Sequence, residues 1–271
     1  MSSPNLVSSS NPGDALHGIR PVSPAEVDFY TQNGWAKLDN IISPVLTAQL
    51  LDIAQRKMGK DADRSGLASR GARYVAWVNG SEEDDWLRSL SQSRELGSIA
   101  SALAGGRQLR WYTDIFMAKK SAENGGARTP WHQDYPHQAF DRRGAIAIWI
   151  PLVDCPPNKG SMRFLSGSHR AGPLGRYATR TDDVDVVSDY PHLLEEYEIS
   201  PPLYLKVGDA TVHDYFTIHS APDNLTNSTR WVYGVSWFPA ETLYNGSFSL
   251  HTKGLELDKP FPDARFPIVS E

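Results

Sequence analysis

Apolar positions along this chain change their spacing near residue 107. Before that point they recur at helical intervals: Val45, Leu46, Leu50, Leu51 and Ile53 form one stripe that opens at Ser43-Pro44 and stops before Gly59. Ser23-Pro24-Ala25-Glu26 has capping-box spacing with proline at the first helical position, and Gly34 is placed as a stop, which predicts a helix over 24–33. Ser93 to Leu103 predicts a further helix closed by Gly105-Gly106, whereas the charges and glycines of 60–73 predict a mobile loop.

From Gln108 onward short aromatic and β-branched runs are broken by Gly, Pro and Asn, as in an antiparallel sandwich or barrel. Strands are expected at 108–118, 129–134, 144–152, 161–165, 203–206, 210–219 and 230–238. Between them, residues 171–202 are rich in Asp and Glu and poor in apolar side chains. They are expected to form a long excursion with a short helix, either a lid or a solvated loop. Residues 1–22 read as a disordered tail. Residues 23–271 read as a single domain: a helical flank (23–106), a β core (107–240) and a C-terminal extension (241–271).

Composition narrows the class. The 271 residues carry 27 basic and 32 acidic side chains, a net charge of −5, which argues against nucleic acid as a partner. Cys155 is the single cysteine, so neither an intrachain disulfide nor a thiol zinc cluster can form. No stretch approaches the roughly 18 uninterrupted apolar residues of a membrane span, and a cytoplasmic protein without a membrane partner is expected. The sequons at Asn79, Asn224, Asn227 and Asn245 do not alter that reading.

Candidate chemistry is concentrated in Thr129-Pro130-Trp131-His132-Gln133-Asp134-Tyr135. Period-two alternation sends His132 and Asp134 to one face. With a second histidine from elsewhere, such a pair makes a facial triad that holds Fe(II) and leaves three positions open. His-x-Asp alone is a weak motif. Downstream, Val207-Gly208-Asp209 opens an apolar run to His219, and Arg230 follows eleven residues later at the head of a strand. A buried arginine there needs an anion. 2-Oxoglutarate matches, since its keto-acid end chelates a metal and its distal carboxylate suits a planar, permanently charged fork. The alternative is an internal Asp or Glu paired with Arg230.

Over residues 24 to 240 the sequence resembles the phytanoyl-CoA dioxygenase family of Fe(II)/2-oxoglutarate oxygenases. The resemblance rests on Trp131-His132-Gln133-Asp134, the strand Ala145–Leu152, Asn158-Lys159-Gly160-Ser161-Met162, Ser166-Gly167-Ser168-His169, and Gly208-Asp209 leading to His219 and Arg230. It implies a mainly β, double-stranded β-helix (jelly-roll, cupin-like) fold with N-terminal flanking helices. It also implies Fe(II) bound by His132, Asp134 and His219, Arg230 on the distal carboxylate of 2-oxoglutarate, and Trp149 near that cosubstrate. O2 is the co-reactant and ascorbate an optional reductant. Two departures stand out. Ala221 occupies a position where the family often has serine, leaving a hydroxyl contact to Ser220 or another side chain, and Ser166 replaces a frequent proline. Halogenating relatives have a small residue in place of the Asp134 carboxylate, so halogenation is not expected.

Other histidines have plainer readings. His213, six residues before His219 and on the same face of a regular strand, is either a packed neighbour or an alternative ligand. His137 either lines the substrate pocket or is exposed, and His169 is structural. Among the aromatic side chains, Tyr135 is the foremost candidate to line an apolar substrate cavity. Hydroxylation of a small, hydrophobic molecule, such as a natural product intermediate, is the default outcome that the resemblance implies. Desaturation, ring closure and epimerisation stay open, as does the oligomeric state. A zinc hydrolase on the same three ligands and a non-catalytic binding module are the competing classes.

Overall fold

The computed structural model describes residues 18–65, 67–69, 73–174, 185–247 and 250–270. The N-terminal signals act as read. In α1 (Pro24–Asn33) the Ser23 hydroxyl accepts from the Glu26 N–H at 3.3 Å, and the Glu26 carboxylate accepts from the Ser23 N–H at 2.7 Å. Gly34, at φ +75°, ends the helix and turns the chain into β1 (Trp35–Leu38). Helix α2 (Pro44–Met58) follows, capped by Ser43. Of the expected tail, residues 1–17 lie outside the described residues, while Ile19 bridges to Ile42 and Arg20 pairs with Glu26 at 2.6 Å.

The expected loop contains β2 (Ala68–Ser69) and is followed by β3 (Val75–Val78), α3 (Gly80–Glu83), α4 (Asp85–Ser91) and α5 (Arg94–Leu103). The remaining strands are β4 (Leu109–Lys119), β5 (Thr129–His132), β6 (Ile146–Pro151), β7 (Arg163–Phe164), β8 (Ala210–Asp214), β9 (His219–Ala221) and β10 (Arg230–Pro239). They form a seven-stranded sheet, β1-β8-β6-β10-β4-β3-β2, and a three-stranded sheet, β5-β9-β7, with every pairing antiparallel. This is the jelly-roll architecture, mainly β with helices packed on one side.

Alternation along the strands separates two apolar layers. Trp231, Tyr233, Val235 and Trp237 of β10 join Ile146, Ile148 and Ile150 of β6 in a core shared with α2, α4 and α5. The intervening Val232 lies instead between the sheets with Trp35, Trp149, Phe164 and Ala221. Arg230, Trp149 and His213 share that inner alternation.

Two strand expectations change, and one loop expectation is met in part. The run 210–219 is not one strand: Asp214 accepts the Phe216 N–H at 2.7 Å and the Thr217 N–H at 2.8 Å, making a turn that carries the chain from the large sheet to the small one. Segment 203–206 makes only the bridge Leu205 to Cys155. The expected 171–202 excursion is described at 171–174 and 185–202, where it contains α6 (Val186–Asp189) and α7 (Leu193–Glu196). Residues 175–184 lie outside the description, so the lid expectation rests partly there. No helix among the described residues is long and apolar enough to cross a membrane.

The C-terminal segment folds back onto β4, with the Trp111 N–H donating to Pro267 O and the Val269 N–H to Leu109 O. Gly34 joins the N-terminal helix to the turn ahead of His219, its carbonyl accepting from Thr217 Oγ1 at 2.6 Å and the Asp214 N–H at 2.9 Å. A Cβ at Gly34 would sit 2.3 Å from His169 Nδ1 and 2.6 Å from Thr217 Oγ1. Gly34→Ala is expected to lower the unfolding free energy by about 1–3 kcal/mol, measured by urea denaturation. An unchanged midpoint would contradict the constraint.

Candidate metal centre

His132 ends β5 and His219 begins β9, and the two are direct partners in the antiparallel register. Their side chains therefore leave the small sheet on the same face, with ring centroids 4.2 Å apart. Asp134 lies two residues past His132, where its N–H and that of Tyr135 both donate to Tyr215 O at 3.1 Å. One donor atom from each of His132, Asp134 and His219 lies within 4.8 Å of the others. Asp134 Oδ1 is 3.7 Å from His132 Nε2 and 3.9 Å from His219 Nε2.

Each of the two imidazoles is oriented by its own strand. His132 Nδ1 lies 2.8 Å from Pro130 O, and His219 Nδ1 lies 2.9 Å from Thr217 O. A proton on each Nδ1 satisfies those carbonyls and leaves the Nε2 lone pairs facing Asp134 Oδ1. Burial, with His132 and His213 beside it, holds His219 well below the usual histidine range, in its neutral, ligating form. Burial opposes ionisation of Asp134. The hydrogen bond that His213 directs at Oδ2 works the other way and favours the carboxylate. Two imidazoles and one carboxylate suit a divalent ion with N/O preference. The cluster opens on one side: His132 and Asp134 keep 29% and 28% of their side-chain exposure, against 5% for His219.

Arg230 heads β10 opposite Lys119, and both are buried, at 2% and 0% exposure. Arg230 Nη1 donates to Gly160 O at 2.5 Å, its guanidinium carbon lies 5.2 Å from the Trp149 ring centroid, and its Nε has no partner among the described residues. No carboxylate forms a salt bridge with it among the described residues, so the internal-pair alternative finds no support there. Burial pushes its pKa down from the usual range, but guanidinium stays charged. An unpaired buried donor of this kind costs about 1–3 kcal/mol, more when charged. An incoming carboxylate would relieve that cost.

Sequence reading missed Lys119. Its Nζ donates to Ala221 O and Pro222 O, each at 3.1 Å, and burial followed by repulsion from Arg230 pushes its pKa down to about 6. Gln133, between two site residues, was also missed. It is buried on the opposite alternation, donates to Phe216 O at 2.6 Å and Gly172 O at 2.9 Å, and accepts from the Leu174 N–H at 2.7 Å. The start of the 171–202 excursion is thus tied to the His132–Asp134 segment.

Other expected residues are placed unevenly. Trp149 lies on the inner face with Arg230. Ser220 pairs with Arg163, whose guanidinium lies over Trp131, and strand alternation sends this row away from His219 and Ala221. The hydroxyl contact expected of Ser220 toward a cosubstrate is therefore not what β9 provides. Tyr135 stacks on Phe216 at 4.2 Å and donates its hydroxyl to Phe140 O at 3.1 Å, so it presents ring rather than hydroxyl. His137 lies in the short 3-10 turn Tyr135–His137, and its side chain falls outside the description. His213 is not in the three-ligand group. It stands behind the carboxylate, with Nε2 3.1 Å from Asp134 Oδ2.

The family description "Phytanoyl-CoA dioxygenase" matches residues 22–232 of the chain. The chain belongs to this family. The family is one of Fe(II)/2-oxoglutarate-dependent oxygenases. An Arabidopsis thaliana phytanoyl-CoA dioxygenase is 25% identical over 154 residues, which make up 57% of this chain and 53% of that protein. The chain thus spans about half the length of this curated relative.

Among solved structures, the non-heme alpha ketoglutarate dependent carbocyclase SnoK from nogalamycin biosynthesis is 23% identical with a TM-score of 0.78, covering 91% of this chain and 96% of that one. The epimerase SnoN, in complex with Fe3+, alpha ketoglutarate and nogalamycin RO, is 24% identical with a TM-score of 0.76, covering 90% and 97%. EctD from S. alaskensis, with 2-oxoglutarate and 5-hydroxyectoine, is 16% identical with a TM-score of 0.71, covering 95% and 92%. At these identities the likeness establishes the shared fold.

If Arg230 receives the distal carboxylate, Arg230→Ala should weaken 2-oxoglutarate binding to Mn(II)-loaded protein about 10- to 100-fold in calorimetric titration. Mn(II) affinity should be unchanged. Equal loss of both ligands, or of neither, would contradict this placement.

Proposed function

We propose that His132, Asp134 and His219 hold Fe(II), that Arg230 holds the distal carboxylate of 2-oxoglutarate beside the face of Trp149, and that the protein oxidises a small, largely apolar organic molecule. The observation that carries this reading is the three-donor cluster, open on one side, together with a buried arginine that has no carboxylate partner. When bound, iron and 2-oxoglutarate supply oxidative decarboxylation of the keto acid coupled to substrate oxidation. The chain's own part is positioning. Pro130 O and Thr217 O fix the two imidazoles, Asp134 offers Oδ1, and the inner layer around Trp149, Phe164 and Val232 keeps water from the arginine end.

Substrate approaches from the side where His132 and Asp134 are exposed. Tyr135 stacked on Phe216 flanks that side and leads into an aromatic layer containing Phe140, Tyr215 and Phe238. The partly exposed ring of Tyr135, backed by this buried aromatic core, suits an apolar ring system more than a charged metabolite. The likeness to SnoK and SnoN, both from nogalamycin biosynthesis, supports a natural product intermediate as the substrate class. Hydroxylation is the default outcome. Ring closure or epimerisation is the second reading, because SnoK is a carbocyclase and SnoN an epimerase. The lone buried Cys155 and the lack of a spanning helix among the described residues support a cytoplasmic setting.

With Fe(II), 2-oxoglutarate and ascorbate, the protein is expected to consume O2 and release succinate slowly alone, and faster when a polycyclic aromatic scaffold is added. Succinate and oxidised product should then form one for one, as measured by mass spectrometry. Turnover of any substrate without O2 and 2-oxoglutarate would point to a metal hydrolase. Absence of succinate in iron-loaded, folded protein across the panel would favour a binding module.

A further inference from the structure

We propose that His213 is a positioning residue that keeps Asp134 a one-oxygen ligand, an inference that rests on reading His132, Asp134 and His219 as the metal ligands. The Asp134 carboxylate is divided. Oδ1 faces the Nε2 atoms of His132 and His219, while Oδ2 accepts a hydrogen bond from His213 Nε2 at 3.1 Å. The donor comes from the other sheet: His213 lies on β8, its backbone paired with Trp35 and Ala147, whereas the proposed ligand histidines lie on the small sheet.

His213 also differs from those two histidines in how its ring is held. Each of them has Nδ1 on the carbonyl two residues before it, but His213 Nδ1 is buried without a partner among the described residues. The ring is therefore oriented by its bond to Oδ2 and by packing against His219, 4.3 Å between centroids, and Phe164, 5.8 Å. A buried ring nitrogen without a partner is unfavourable, and among the described residues His213 carries that cost together with the hydrogen bond its other nitrogen gives to Oδ2.

The reason lies in the count of open positions. A carboxylate with both oxygens free can chelate an ion and occupy two positions. A facial triad leaves three, of which a chelating keto acid takes two, so a second carboxylate oxygen would remove the position needed for oxygen. Occupying Oδ2 from behind with an N–H prevents this. The side chain of His213 is 4% exposed against 28% for Asp134, so it sits on the interior side of the carboxylate, away from the open face.

The test counts waters on the ion, using Mn(II) in place of Fe(II). Wild type, His213→Leu and His213→Gln are compared by water-proton relaxation, Mn(II) affinity and thermal melting of the metal-free protein. The inference predicts that His213→Leu loses one of three exchangeable waters, so that the inner-sphere relaxation enhancement falls by about a third. His213→Gln, which restores an N–H at similar reach, should recover both the water count and the melting temperature of the metal-free protein. An unchanged water count in His213→Leu would overturn the proposal. So would a gain of one water, which would make His213 a fourth ligand, or a drop in melting temperature without rescue by glutamine, which would make its role structural. Failure of wild type to bind Mn(II) would instead remove the metal reading on which the proposal rests.

Discussion

The register that sets His132 directly across from His219 is the constraint on which the candidate site depends. Two residues 87 positions apart in sequence become neighbours because β5 and β9 pair antiparallel at that point, and side chains opposite one another in such a pair share a face. A slip of one residue would send one imidazole outward with Trp131 and Ser220. The turn Asp214–Thr217 sets the phase of β9, and its tie to Gly34 anchors it to the N-terminal helix. The helical flank therefore bears on the site through backbone contacts, although none of its side chains belongs to the cluster.

The inner space between the sheets is costly in polar terms. It contains a permanently charged arginine with an unpartnered Nε, a lysine held by backbone carbonyls, and an imidazole with an orphan nitrogen. An apolar core would avoid these penalties. Their alignment on one face of β4, β8 and β10, opposite the His132–His219 pair, is what a site prepared for a charged cosubstrate and a cation would require. In the proposed reading, ligand binding supplies the missing partners, and part of the binding energy comes from relieving groups that folding left unsatisfied.

Much of this was legible in the sequence because local chemistry and fold agreed. A capping box at α1 and Ser-Pro starts at both α1 and α2 mark where these helices begin, and Gly34 marks where the first ends. The His-x-Asp spacing and the charged head of the 230–239 strand pointed to residues that the structure gathers between or beside the two sheets. What was not legible depends on long-range pairing. Strand β1 reads as part of a helix-to-helix connection until β8 is beside it. The run 210–219 keeps a continuous apolar pattern across a turn, because Asp214 acts there as a local acceptor rather than as a strand residue. His213 could be placed behind Asp134 only once that turn had moved His213 and His219 to different sheets. Ser220 was misplaced for a simpler reason, since alternation puts it opposite His219.

The central claim, that this cluster binds iron together with a keto acid, is tested most directly by anaerobic absorbance titration of the metal-free protein with Fe(II) and then 2-oxoglutarate. The account predicts a visible charge-transfer band that requires both additions and is absent in His219→Ala. Folded, iron-loaded wild-type protein that gives no band, or a band that persists in His219→Ala, would contradict it.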